Sequence, residues 1–252
     1  MNQILGAEHF VVYNYSISPA VDQILQRYQQ DGLVTVLPWP LPTLDVHYYG
    51  QMAALNDCIY RNRNISRFVV VVDTDELIIP RESLTWMELI DTVSPQERDV
   101  SALRHPSGSS KNWLKATGSF EFRSGSFVVV GTPSWTALPS ELEFSEEEKN
   151  NLLKYKIHTL TQLQRARKVL PRKHRTKYIA RPELVNISGI HFVHSFMSNV
   201  SSLDVRENFA LVHHYQKLDF ADTVMDTNIL KFKDQLFPRL LQQYRRFSNL
   251  IW

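Results

Sequence analysis

Residues 68–80, Phe-Val-Val-Val-Val-Asp-Thr-Asp-Glu-Leu-Ile-Ile-Pro, constrain the fold more than any other stretch of this chain. Four consecutive valines read as a strand buried on both faces, the pattern of a parallel sheet covered by helices. Three carboxylates, Asp73, Asp75 and Glu76, then arrive within four residues. Open α/β sheets bind ligands beyond the carboxyl ends of their strands. An Asp-x-Asp delivered there suits a hard divalent cation, which takes one or two carboxylates plus phosphate oxygens. The competing reading is a pair of strand-end acids that merely cap the next helix.

The neighbouring pattern supports the sheet. Residues 2–6 read as a last helical turn closed by Gly6, and His9 to Asn14 as a strand. Ala20 to Gln30 has helical spacing at Val21, Ile24, Leu25 and Tyr28, and Leu33 to Leu37 is a second strand. Tyr48 to Asn62 is expected to be a helix leading into the valine strand. Strand, helix, strand, helix, strand at this spacing predicts a βαβαβ unit with a parallel sheet. Leu84 to Val93 predicts a further short helix.

After Val100 the pattern loosens into short strands, Ser101–Arg104, Ser119–Arg123 and Phe127–Val130. They predict a smaller, more antiparallel section. Ser145 and Glu148 form a capping box, with a helix expected from there to Val169. The last stretch, Asp226 to Trp252, reads as an amphipathic helix broken near Pro238. The expected fold class is therefore α/β, a mostly parallel sheet flanked by helices. It forms a single domain, 1–252, with residues 1–99 as the ligand-binding βαβαβ part.

Composition narrows the function. A net charge of +2 gives no global case for nucleic acid. One cysteine, Cys58, excludes an intrachain disulfide, and no apolar run reaches the ~18 residues of a membrane span. Four Asn-x-Ser sequons, at Asn14, Asn64, Asn186 and Asn199, tilt the setting towards a lumen. From Lys149 to Pro182 there is no acid, and Lys177 and Arg181 share one face of an expected strand. Bases there suit a diphosphate. Single-stranded nucleic acid would want interleaved aromatics, and the stretch lacks them. Late histidines, His191, His194, His213 and His214, include candidates to complete a metal site.

In series, these residues resemble glycosyltransferase family 92, a group of nucleotide-diphospho-sugar transferases of the A type. The matching residues are 5–14, Gln51 with residues 55–58, residues 72–76, residues 177–182 followed by His191, and residues 210–215. The resemblance implies an inverting transfer of a sugar, galactose foremost, from a UDP-sugar donor to a glycan acceptor with Mn2+ (or Mg2+). It implies a Golgi lumen or membrane setting. By position, Asp73 would lie near ribose and metal, and Asp75 would ligate the metal with His214 or His191. Lys177 and Arg181 would face the diphosphate, residues 100–252 would complete the metal and acceptor sides, and Gln51, Asn56 and Asp57 would line the nucleoside pocket. Glu121, Glu141 and Glu143 are the candidates for the base that an inverting transfer needs. The family's first strand has no counterpart before Gly6, which leads to the expectation of an N-terminally truncated domain.

Two rival readings stand beside it. A phosphatase would attack with Asp73 and use Asp75 as acid, but such sites usually carry Thr or Val where Leu77 stands. A degenerate nucleotide- or glycan-binding domain would keep the fold without the chemistry.

Overall fold

In a computed structural model, residues 1–43, 45–96, 116–129, 138, 143–217 and 221–251 are described. The expected strand at Ser101–Arg104 lies outside them. The chain opens with a turn closed by Gly6 at φ +110°, as the terminal glycine predicted. β1 (Phe10–Asn14) and β2 (Val34–Pro38) pair in parallel, Phe10 opposite Val34 and Asn14 opposite Pro38. Between them runs α1 (Pro19–Gln30), started by the Ser18 side chain accepting from the Val21 amide, with Pro19 in its first turn.

α2 (Gln51–Arg61) starts later than the sequence suggests. Tyr48, Tyr49 and Gly50 all have positive φ, 45°, 54° and 72°, and cannot belong to a right-handed helix. α2 leads to β3 (Val69–Val71). The valines do face both ways: Val69 and Val71 pack with Ile59 of α2, Val70 and Val72 with the main core. β3 does not join β1 or β2. Its described partner is β8 (Lys177–Ala180), antiparallel, in a four-stranded sheet of order β11-β5-β8-β3. Here β5 is Thr117–Phe122 and β11 Ser201–Val205.

A second, five-stranded sheet has the order β13-β7-β6-β12-β4. It comprises β4 (Glu76–Pro80), β6 (Ser124–Val128), β7 (Gln164–Ala166), β12 (Ala210–Gln216) and β13 (Thr223–Met225). β9 (Val185–Ser188) and β10 (Val193–Phe196) form a separate antiparallel pair. The α/β class holds, but the sheets are mixed rather than mostly parallel. β11 with β5 and β12 with β6 are parallel, whereas β12 with β4 and β5 with β8 are antiparallel.

The core lies against the second sheet. Ile78, Ile79, Phe127, Leu211 and Val212 are fully buried there, with Leu89 and Ile90 of α3 (Trp86–Gln96). The capping box at Ser145 and Glu148 is present, but its helix, α4 (Glu146–Lys154), stops fifteen residues before Val169. Lys156 takes φ +50° and reverses the chain into a short helix, α5 (His158–Thr161), and then β7. At the end, α6 (Lys233–Arg246) keeps Pro238 inside it. The break falls instead before it, in a 3-10 turn at Asn228–Phe232, and after it at Phe247, ahead of α7 (Ser248–Ile251).

Close packing makes Gly118 of β5 sensitive. A Cβ there would lie 2.4 Å from Phe196 Cε1 and 2.9 Å from Val200 Cγ2. Gly118→Ala is expected to cost about 1–3 kcal/mol through overpacking. A lowered urea midpoint at unchanged slope would report it.

Candidate active site

Register brings the motifs together. Val71 pairs with Tyr178, so Lys177 follows on beside the carboxyl end of β3. Glu76 pairs with His214 on β12. Between β3 and β4 the chain makes a tight turn, the Glu76 amide donating to the Asp73 carbonyl at 3.1 Å. This turn carries Asp73, Thr74 and Asp75 outward while Glu76 points in.

The Lys177 ammonium, buried to 1% exposure, lies 2.8 Å from Asp73 Oδ2 and 3.0 Å from Glu76 Oε2. Glu76 is itself 2% exposed and also accepts from the Asp73 amide at 3.0 Å. Asp75 sits on the other side of the turn. Its carbonyl accepts from the Tyr215 amide at 3.0 Å, and its Oδ2 lies 3.4 Å from His214 Nε2. His214 Nδ1 is buried without a hydrogen-bond partner, 3.7 Å from Glu76 Oε1. Three carboxylates against one lysine leave an excess of negative charge at the turn. Asp73 and Asp75 carry it to the surface, at 48% and 52% exposure.

This donor set fits a divalent cation of the Mg2+ or Mn2+ kind. Ligand atoms 3.4 Å apart can both reach one ion at about 2.0–2.2 Å. The orphaned His214 Nδ1 faces a carboxylate, the arrangement that orients a ligating imidazole. Among the described residues no three His, Cys, Asp or Glu converge into a protein-only cage. Cations of this kind generally take remaining ligands from phosphate and water.

The other candidates divide. His191 lies near Lys177, Glu76 and Asp73, and burial together with the Lys177 charge lowers its pKa. Its Nδ1 is buried and unpartnered. Arg181 lies just past the far end of β8, about 13 Å from Lys177 by strand rise, and its guanidinium pairs with Glu183 at 2.9 Å. Asn56 spends its amide on the backbone, donating to Met52 and Ser188 carbonyls and accepting from the Ser188 amide. Asp57 accepts from Tyr13 and from Arg61, whose hydrogen bond holds its carboxyl below the ordinary range. Gln51, at the start of α2, is half-buried.

The base candidates separate as well. Glu121 is 1% exposed and paired with Arg172 at 3.2 Å, closed to an acceptor hydroxyl in this arrangement. Glu143 is exposed, and its carbonyl accepts from Lys233. Glu141 lies outside the described residues. Sequence reasoning named Glu76 only as a third acid. Its bond to the Asp73 amide is local, but its contact with Lys177 needs the register of β3 against β8.

His213 and His214 face opposite ways, as strand alternation requires. His213 is fully buried and stacks on Phe127 with centroids 4.1 Å apart. Burial lowers its pKa to about 3. An unfolded histidine takes its proton near 6.5, so stability is expected to fall as pH drops from about 6.5 towards 3. At pH 5 the loss is about 2 kcal/mol. Urea unfolding at pH 7 and 5 measures it, and His213→Leu should flatten that dependence.

A mixed α/β domain carries, at one strand end, an acidic turn, a buried lysine and a facing histidine. Comparison with known proteins is specific. The profile of glycosyltransferase family 92 matches residues 1–246, and the chain belongs to that family. Over 238 residues it is 26% identical to the glycosyltransferase family 92 protein F13G3.3 of Caenorhabditis elegans, covering 90% of this chain and 39% of that protein. Over 243 residues it is 23% identical to the beta-1,4-galactosyltransferase galt-1 of the same organism, covering 94% of this chain and 47% of that protein. The chain thus spans less than half the length of these relatives.

Proposed function

We propose that this chain transfers a sugar, galactose foremost, from a UDP-sugar to a glycan acceptor with inversion, using Mn2+ or Mg2+ at the Asp73–Asp75 turn. The galactosyl donor is suggested by the beta-1,4-galactosyltransferase among its relatives. The observation that carries the reading is the meeting of Asp75 with His214 beside the buried Lys177, which pairs with Asp73 and Glu76. The cation, when bound, would offset the charge that develops on the departing diphosphate. Asp75 and His214 would hold it.

Lys177 keeps its charge fixed within the turn and holds Asp73 in place from below. The carboxyl ends of β1 and β2 offer a wall for the nucleoside. Tyr15 and Tyr49 stack there with centroids 4.9 Å apart, and both are exposed. Aromatic faces of this kind accept a base. The proposed setting is the Golgi lumen. Among the described residues, no helix is long and apolar enough to cross a membrane.

Calorimetric titration of UDP with and without Mn2+ tests the reading. Binding strengthened by Mn2+ is expected. Metal-independent binding that Asp75→Ala leaves unchanged would remove the metal assignment.

A further inference from the structure

A cavity of about 480 Å³ opens beside Asp75, lined also by Tyr215 and Gln216 of β12. That volume is within the range of small-molecule sites. One wall is apolar: Leu77 of β4 with Leu236, Leu240 and the Tyr244 ring of α6. The polar rim includes Thr74 and Thr159. Lys156, His158 and Lys217 line it, as does Gln216, whose Nε2 is buried without a hydrogen-bond partner. Asp75 is the sole carboxylate among the lining residues.

Lys156 occupies its place against local preference. The Lys156 amide donates to the Leu153 carbonyl and the Ile157 amide to the Leu152 carbonyl, which together form a Schellman ending to α4. The left-handed residue of that motif is usually glycine, because a Cβ there is strained. A lysine at φ +50° carries that strain at a position that lines the cavity. The charges are close enough to act on one another. Burial, then Lys156 and Lys217, lower the pKa of His158.

We propose that this cavity binds the terminal sugar of the acceptor glycan, and that this sugar is acidic. The two lysines, with the orphaned Gln216 amide, set cationic donors against a single carboxylate, an excess of positive charge that a neutral sugar does not answer. It matches a carboxylate or sulfate, which accepts only. The ring would lie on the Tyr244 and leucine wall, its acid group at Lys156, Lys217 and Gln216, and a hydroxyl towards Asp75. The inference rests on the transferase reading, since it makes the cavity the acceptor side of that centre.

Binding of small glycosides to the folded chain tests it without turnover. A glucuronide, a sulfated galactoside and a neutral galactoside are titrated by ligand-observed NMR, with UDP and Mn2+ as a separate arm. Either or both acidic glycosides should bind at least about tenfold more tightly than the neutral one. Which of them binds names the acid. Lys156→Gln with Lys217→Gln should erase that preference, and Tyr244→Ala should weaken all binding, with far-ultraviolet circular dichroism confirming the fold.

Equal binding of neutral and acidic glycosides, or none by the wild-type chain, overturns the proposal. So does displacement of the glycoside by UDP without metal, which would assign the lysines to the diphosphate. Loss of UDP binding in Asp75→Ala with glycoside binding kept separates the two sites. Glycoside binding in a chain that never binds UDP would overturn the transferase reading and leave an acidic-sugar site.

Discussion

Asp75→Ala is expected to reduce metal-dependent transfer by about a thousandfold or more, while the chain folds with nearly wild-type stability. The carboxylate is half exposed, and among the described residues it pairs with His214 at 3.4 Å. Its removal therefore costs little packing. What it removes is one of the two groups proposed to hold the cation. Loss of several kcal/mol of charge stabilisation in the transition state corresponds to a factor of this size. The measurement is kcat/KM for sugar transfer across a Mn2+ titration, beside a urea melt. A tenfold loss that excess Mn2+ restores would mean that Asp75 aids binding of the metal but is not essential to it. An unchanged rate would move the metal away from this turn.

Lys177→Met should act in the opposite way, chiefly on stability. The ammonium is buried and sits between Asp73 and Glu76, and Glu76 is almost wholly removed from water. Methionine fills the volume but leaves a buried carboxylate without its counter-charge. Breaking a buried pair from one side typically costs about 3–5 kcal/mol. For a chain of this size that is a fall of roughly 10 °C in melting temperature. Glu76→Gln added to Lys177→Met should recover part of the loss, since the uncompensated charge is then gone. A Lys177→Met variant that loses less than about 1 kcal/mol would show that Glu76 carries no charge in the native state.

The two effects part along lines that the sequence partly shows. Asp73 and Asp75 were legible because an Asp-x-Asp at the end of an apolar strand is a local pattern. Lys177 was singled out from an acid-free basic stretch and a strand alternation, though its partners were not. Asn56 and Asp57 looked like pocket residues by position. In the fold their polar atoms are engaged by Ser188, Tyr13 and Arg61. Arg181 shared a predicted face with Lys177, but a strand carries residues four apart well over ten ångströms from one another. Glu121 read as an available acid until β5 placed it inside the sheet beside Arg172.

Local sequence determined the valine strand, the acidic turn that follows it, the caps at Ser18 and Ser145 and the opposite faces of His213 and His214. These depend on neighbours in the chain: side-chain alternation, capping geometry and the burial of apolar runs. The order of its motifs along the chain was also sufficient to indicate its family. Tertiary structure alone decided that β3 pairs with β8 and β4 with β12. Those registers join residues more than a hundred positions apart. They turn a lysine, a third acid and a histidine into one charged centre, and they open the cavity beside Asp75. Strand partners are selected by how whole faces pack and by which edges stay free, and neither is written in any one segment.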